Sequence, residues 1–344
     1  MAIQQLAPAL TADQVRARVS TLPRIPFAFV PTPLEDAPRL AAAIGHPRVV
    51  VKRDDLTGFA FGGNKVRALE FRMADARAKG CDAFTVTNIG QSNHARLHSA
   101  ACTRLGMKMV IVKPSPAHEE VTGNLLLDRI LGVEIVEAHG RNVDEALDGV
   151  DVRLRAHGFT PYHSTREPFS RLAGTVAYLE ASIELRDQLV AAGVDPARAH
   201  LFLVHGTSAA GLALGGKLLG IGWRVHAVSV GGAAGAIVKL ELDLSARVAD
   251  LLDLPARLDA SEFDVHDQYV GERYGHATPG ALEAIKLAAR TDAIFTDPVY
   301  TGKALSGMIG ELRAGHVPAD NTAVFIHTGG LPIIFAYHAV LKDL

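Results

Sequence analysis

Three glycine-bearing segments carry residue types suited to gripping a phosphate and bonding covalently to a carbonyl carbon. The first, Gly62-Gly63-Asn64-Lys65-Val66-Arg67, follows Val50-Val51-Lys52-Arg53-Asp54-Asp55, and its glycines let the backbone turn tightly and deliver Lys65 to a helix start. An amine there becomes a nucleophile when burial and nearby positive charge lower its pKa. Arg67 can supply that charge, or it can pair with Glu70. The turn alone is equally consistent with Lys65 as an electrostatic clamp or a solvated surface charge. The second segment, Asn88-Ile89-Gly90-Gln91-Ser92-Asn93-His94, sets amide, hydroxyl and imidazole groups beside the free N–H groups of a helix start. A carboxylate or phenolate oxygen can dock there, unless Ser92 does no more than cap the helix. The third, His205-Gly206-Thr207-Ser208-Ala209-Ala210-Gly211-Leu212, exposes consecutive N–H groups and two hydroxyls, a cup that holds phosphate without a lysine.

Other chemistries fit these residues less well. No Gly-Lys-Ser/Thr closes the third turn, and Gly231-Gly232-Ala233-Ala234-Gly235 is only part of a dinucleotide fingerprint. His94 and His98 lie four apart on one helical face, but no glutamate base stands between them, so no metal site is expected.

The turns need elements to hold them. From residue 48 onward, short valine- and isoleucine-rich runs alternate with segments of helical period, which predicts an α/β fold of open parallel sheets covered by helices on both faces. Strands are expected at 48–52, 83–87, 108–113, 134–137, 201–205, 224–230 and 323–327. Helices are expected at 64–79, 92–106, 118–131, 142–157, 170–193, 208–219, 279–291 and 303–314, with Ser92 and Thr301 as caps and Pro279 early in its helix after Thr278. Ligands of such sheets lie beyond the carboxyl ends of the strands, where all three turns fall.

Composition narrows the partner. With 35 basic and 37 acidic residues, the chain offers no general attraction for nucleic acid or an anionic membrane. No apolar run of about 18 residues occurs, and Met1 to Leu6 lack a basic segment leading into an apolar one. Cys81 and Cys102, the only cysteines, read as buried thiols in a reducing compartment. A cytoplasmic enzyme with a small-molecule substrate is the expectation.

The three turns in this order, followed by Asp297-Pro298-Val299-Tyr300-Thr301-Gly302-Lys303-Ala304 and His327-Thr328-Gly329-Gly330, resemble the D-cysteine desulfhydrase and 1-aminocyclopropane-1-carboxylate deaminase family. The resemblance runs from Pro31-Thr32-Pro33-Leu34 to Phe335-Ala336-Tyr337. It implies a two-lobed, tryptophan-synthase-β-like pyridoxal 5'-phosphate enzyme of fold type II, with a large cofactor-binding domain over 1–66 and 169–344 and a small domain over 67–168. It further implies that Lys65 bonds the cofactor, Asn93 meets its phenolic oxygen, Gly206, Thr207 and Ser208 hold its phosphate, and Thr328 faces its pyridine nitrogen. Ser92, Asn93 and His94 are then expected at the substrate carboxylate, with Tyr274 and Tyr300 at the reacting substrate. A homodimer is the default by symmetry and analogy.

Thr301 and Thr328 stand where the deaminase branch carries glutamate and leucine, which resembles the desulfhydrase branch and predicts β-elimination from D-cysteine or a similar small amino acid. Cyclopropane ring opening, amino-acid racemisation and non-catalytic cofactor binding are the alternatives. Two departures from the family pattern bear on the site. Ala68 stands where relatives have a lysine, which predicts a weaker grip on phosphate. The run Tyr162-His163-Ser164-Thr165-Arg166-Glu167 replaces a Gly-Gly-Ser segment, so Arg166 either pairs with Glu167 or solvent or offers a fork to an acidic substrate group.

Overall fold

The computed structural model describes residues 9–87, 90–114 and 120–344. Ten strands form two sheets: β1 (Leu34–Asp36), β2 (Val49–Lys52), β3 (Ala83–Thr87), β4 (Lys108–Lys113), β5 (Glu134–Glu137), β6 (Pro161–His163), β7 (Ala199–Val204), β8 (Arg224–Val228), β9 (Phe263–His266) and β10 (Thr322–Ile326). The six-stranded sheet runs β1-β2-β10-β7-β8-β9 and the four-stranded sheet β5-β4-β3-β6. Every pairing is parallel except β1 on β2.

Burial on both faces explains the unalternated apolar strands. On β7, Leu201 and Leu203 pack with Val176, Leu179 and Leu212 on one side, while Phe202 packs with Leu305 and Met308 on the other. All seven expected strands are present to within two residues. Three short strands were not foreseen: β1, β6 and β9 are each three or four residues long and carry polar side chains. The 18-residue Ala234–Leu251 helix was missed because its glycine-rich approach read as a loop. The helix expected from 118 runs over Gly123–Ile130, and residues 118 and 119 lie outside the described residues. Thr278 caps its helix, with Pro279 in the first position. Thr301 is not a cap: its hydroxyl donates to Asp297 Oδ2 at 2.7 Å, and Tyr300 precedes the helix.

A chain of hydrogen bonds crosses the large sheet from β7 to β9. Asn321 Nδ2 lies 3.0 Å from His200 Nε2, His200 Nδ1 2.8 Å from His226 Nε2, and His226 Nδ1 3.0 Å from His266 Nε2. His266 Nδ1 ends the chain 3.3 Å from Glu311 Oε1. An amide donor at one end and a carboxylate at the other fit three neutral rings, each accepting at Nε2 and donating from Nδ1.

Candidate active site

Strands β2, β10 and β7 are neighbours, so the turns leaving their carboxyl ends converge although they lie far apart in sequence. Gly62 and Gly63 take φ of 64° and 116°, and a Cβ on Gly62 would stand 2.1 Å from the Asp55 carbonyl oxygen. Asn64 N–H donates to the Thr328 carbonyl at 3.0 Å, and a Cβ on Gly329 would approach Gly63 Cα to 2.8 Å. Asn64 Nδ2 donates to Ser208 Oγ at 2.9 Å. Asn64 therefore joins the lysine turn to both others, a role its sequence position did not reveal.

Lys65 opens the Lys65–Ala78 helix with its amine 5.7 Å from the centre of the Tyr300 ring. Its pKa falls from 10.5 to about 8, chiefly through burial and then the charges of Arg96 and Arg72, against the opposing pull of Asp297. Arg67 does not supply that charge, nor does it pair with Glu70. It donates to Asp54 at 2.8 and 3.0 Å and to Glu184 at 2.9 Å, while Glu70 binds Arg24 and the backbone of Phe27 and Ala28. One consequence is measurable in the cofactor-free protein. The rate of covalent capture of pyridoxal phosphate is expected to rise with pH and reach half its maximum near pH 8; stopped-flow absorbance across pH 6.5 to 10.5 checks it. A rate still climbing steeply at pH 10 would contradict a lowered pKa.

In the second turn, Ser92 Oγ accepts the Ala95 N–H at 3.1 Å, so this serine caps the helix and lines neither cavity described below. Asn88 and Ile89 lie outside the described residues. Asn93 is buried, and its Oδ1 accepts from Asn124 Nδ2 at 2.9 Å and Arg96 Nη2 at 3.4 Å. Those bonds leave the Asn93 amide nitrogen as the donor available to a ligand. Arg96 Nε binds Asn124 Oδ1 at 2.8 Å, so Arg96 and Asn124, not singled out from the sequence, orient Asn93. His94 has a buried Nε2 without a partner among the described residues, and burial holds it neutral.

Two cavities meet at Lys65. The smaller, about 250 Å³, is lined by Lys65, Asn93, Thr207, Ser208, Tyr300 and Thr328 among others. The larger, about 550 Å³, includes Lys65, Ala68, His94, Gly206, Thr207 and Ser208. Tyr274 joins the site through a short hydrogen bond between its phenol and that of Tyr300. Burial keeps both phenols protonated by raising their pKa values. Asp297 sets Tyr300 in place by accepting from the N–H groups of Val299, Tyr300 and Thr301 at 2.8 to 3.1 Å. Glu241 accepts the Gly206 N–H at 2.8 Å and fixes the third turn, its own pKa pushed up to about 8 by burial.

Arg166 departs from expectation. It binds Asp148 and Asp144 on the exposed surface, and Glu167 pairs instead with Lys79. Its guanidinium is engaged by these carboxylates, and Arg166 lines neither cavity.

Comparison with known proteins agrees with this arrangement. A model of the pyridoxal-phosphate dependent enzyme family matches residues 25–329, and the chain belongs to that family. Among solved structures it is similar to an ACC deaminase homologue, at 29% identity and a TM-score of 0.84, covering 96% of this chain and 98% of that one. The fold recurs in a T.th. threonine deaminase (19% identity, TM-score 0.64, covering 93% and 98%). It recurs again in Escherichia coli diaminopropionate ammonia lyase (17%, TM-score 0.63, covering 100% and 95%). The fold is therefore that of the type II pyridoxal-phosphate enzymes, as the resemblance implied, and the protein is a pyridoxal-phosphate dependent enzyme.

The residues fit that cofactor. A lysine of lowered pKa suits a carbonyl, the start of the Thr207–Leu218 helix suits a phosphate, and no aspartate or glutamate lines either cavity among the described residues. No helix among the described residues is long and apolar enough to cross a membrane.

Proposed function

We propose that this enzyme eliminates the β-substituent of a small amino acid, with D-cysteine or a similar sulfur compound as substrate and pyruvate, ammonia and sulfide as products. The observation that carries the reading is a base and two acids at one point. Lys65, its pKa near 8, stands beside Tyr300, whose pKa is raised and whose phenol binds that of Tyr274. Environments that push neighbouring pKa values apart assign the acid and base roles.

When bound, the cofactor supplies an electron sink for the charge left on the α-carbon. Lys65 would hold the cofactor and, with its amine free, would accept the α-proton at Nζ. The Asn93 amide would donate to the cofactor's phenolic oxygen, and the helix start at Asn93 would receive the substrate carboxylate. Thr207 and Ser208 hold the phosphate. Tyr300 presents its phenolic proton to the departing sulfur, and Tyr274 orients and replenishes it. Thr328 would offer a neutral hydroxyl to the pyridine nitrogen.

The structure supports an indirect role for Thr301, whose hydroxyl is spent on Asp297 rather than facing the cavity. The absence of a carboxylate there favours the desulfhydrase over the cyclopropane deaminase. The proposal also takes residues 1–66 and 169–344 as the cofactor-binding domain, 67–168 as the inserted one, and a homodimer as the assembly.

Tyr300→Phe is expected to lower pyruvate formation by about 10²- to 10³-fold, the usual worth of a general acid, while exchange of the substrate α-hydrogen with solvent deuterium persists. Equal loss of exchange and elimination would remove Tyr300 from the leaving-group step. Substrate choice is tested by screening both enantiomers of cysteine, serine, 3-chloroalanine and cysteate, plus 1-aminocyclopropane-1-carboxylate, for spectral change and keto-acid release. A change in optical rotation without keto acid would identify a racemase, and cofactor spectra indifferent to every amino acid would identify a binder.

A further inference from the structure

Ala68 and Arg72 follow Lys65 at three and seven residues along its helix, so all three share one face, and all three line the 550 Å³ cavity. The opposite wall brings Ser164 together with Ser170 and Arg171 from the first turn of the Pro168–Ala191 helix. The cup at Thr207 and Ser208 closes the cavity, so two helix starts border it. A Cβ on Gly174 would stand 2.3 Å from Thr207 Oγ1, which shows how closely the two helices approach at this point.

The charge in this cavity is unbalanced. Arg72 is 6% exposed, yet its guanidinium meets only neutral groups: Nε and Nη2 donate to the Ser170 carbonyl at 3.1 and 2.7 Å, and Nη1 lies 3.0 Å from His98 Nε2. A buried cation without a carboxylate carries a desolvation cost that an anion would relieve. That cost appears as a pKa lowered to about 10 by burial. Arg171 is exposed at the rim and makes no ion pair among the described residues. Ser164 Oγ, Ser170 Oγ and His94 Nε2 are buried in the same lining without hydrogen-bond partners among the described residues.

We propose that Arg72 and Arg171, with the hydroxyls of Ser164 and Ser170, supply the positive wall of the cofactor-phosphate site, a task that the methyl group of Ala68 cannot perform. The inference rests on the reading of Lys65 as the cofactor-bonding residue and of Gly206 to Ser208 as the phosphate turn. Arg72 is held rigid by the Ser170 carbonyl and gives a fixed charge. Arg171 closes from solvent with a fork that matches phosphate oxygens. Ala68 leaves the space through which both reach the anion.

The test separates phosphate recognition from carbonyl capture. Full-length cofactor-free protein is titrated with pyridoxal phosphate and with pyridoxal, which lacks the phosphate, and bound ligand is read from visible absorbance. The wild type is expected to prefer the phosphorylated ligand. Arg171→Ala should raise its Kd about tenfold, the worth of one charge-assisted hydrogen bond, leave pyridoxal unaffected, and be partly rescued by Arg171→Lys. Arg72→Gln should lose more, with circular dichroism confirming that it is folded; the exposed Arg171 provides the test if it is not. An unchanged preference in Arg171→Ala would overturn the proposal. A wild type that captures neither ligand would instead overturn the reading of Lys65 on which it rests.

Discussion

Lys65→Ala is expected to lower kcat/KM for pyruvate formation by about 10⁴-fold or more and to abolish the visible band of lysine-bound cofactor. Two losses combine: the covalent attachment and the base for the α-proton. The fold should not suffer, because among the described residues the Lys65 amine makes only one long hydrogen bond, 3.5 Å to Asn64 Oδ1, and carries a charge that burial disfavours. The melting temperature of the cofactor-free protein is therefore expected to stay within about 2 °C of wild type, the shift of less than about 1 kcal/mol in a domain of this size. Activity above about one per cent of wild type would exclude Lys65 as nucleophile and base.

Acidification should destabilise the protein from about pH 6.5 downward, as its buried histidines are forced to take up protons. Burial, reinforced by Arg224, lowers His200 to about 4; burial, reinforced by His200, lowers His226 to about 2. The unfolded chain takes up protons on both near pH 6.5. Because the folded pKa values are depressed, the stability from the neutral rings is complete above pH 6.5 and is lost as pH falls toward 4. At pH 4.5 each ring costs roughly 2 to 3 kcal/mol, and the pair about 5 kcal/mol, comparable with the net stability of a typical domain. Asp264 opposes the shift of His200 without reversing it, whereas Arg224 adds to the lowering of both rings; the neighbouring His266 is lowered by burial against the pull of Glu311. Urea midpoints at pH 7.5 and 4.5 should therefore differ sharply, and His226→Gln, which can still donate and accept, should remove about half of the difference. Equal midpoints at the two pH values would show that the rings titrate freely.

Much of the site was legible because its residues sit at strand ends, where a glycine turn and a helix start announce themselves locally. Lys65, Asn93, Gly206 to Ser208 and Thr328 are brought to one place by the adjacency of β2, β10 and β7 and by the contact between the two lobes. What could not be read were the partners that hold them. Asn124 and Arg96 orient Asn93 across the small lobe, Glu241 grips Gly206 from a helix 35 residues later, and Asp297 fixes Tyr300. The contacts of Asn124 and Glu241 depend on tertiary packing, and that glutamate has no local signature distinguishing it from a surface charge, whereas Asp297 acts within its own turn, three residues before Tyr300. Arg166 shows the opposite error. A charged residue in an unusual segment looked aimed at the substrate, yet nearby carboxylates on the Val143–Ala156 helix capture it.

The short edge strands escaped notice for a related reason. Three or four residues with polar side chains carry no periodic signal, so β1, β6 and β9 exist by virtue of the strands they flank.

The measurement that bears most directly on the proposed chemistry is the product balance with D-cysteine: pyruvate, ammonia and sulfide released by the cofactor-loaded enzyme, followed together with the amino acid consumed. One equivalent of each product for every D-cysteine lost is the predicted result. Consumption of D-cysteine matched by the appearance of L-cysteine, with no pyruvate or sulfide, would contradict it.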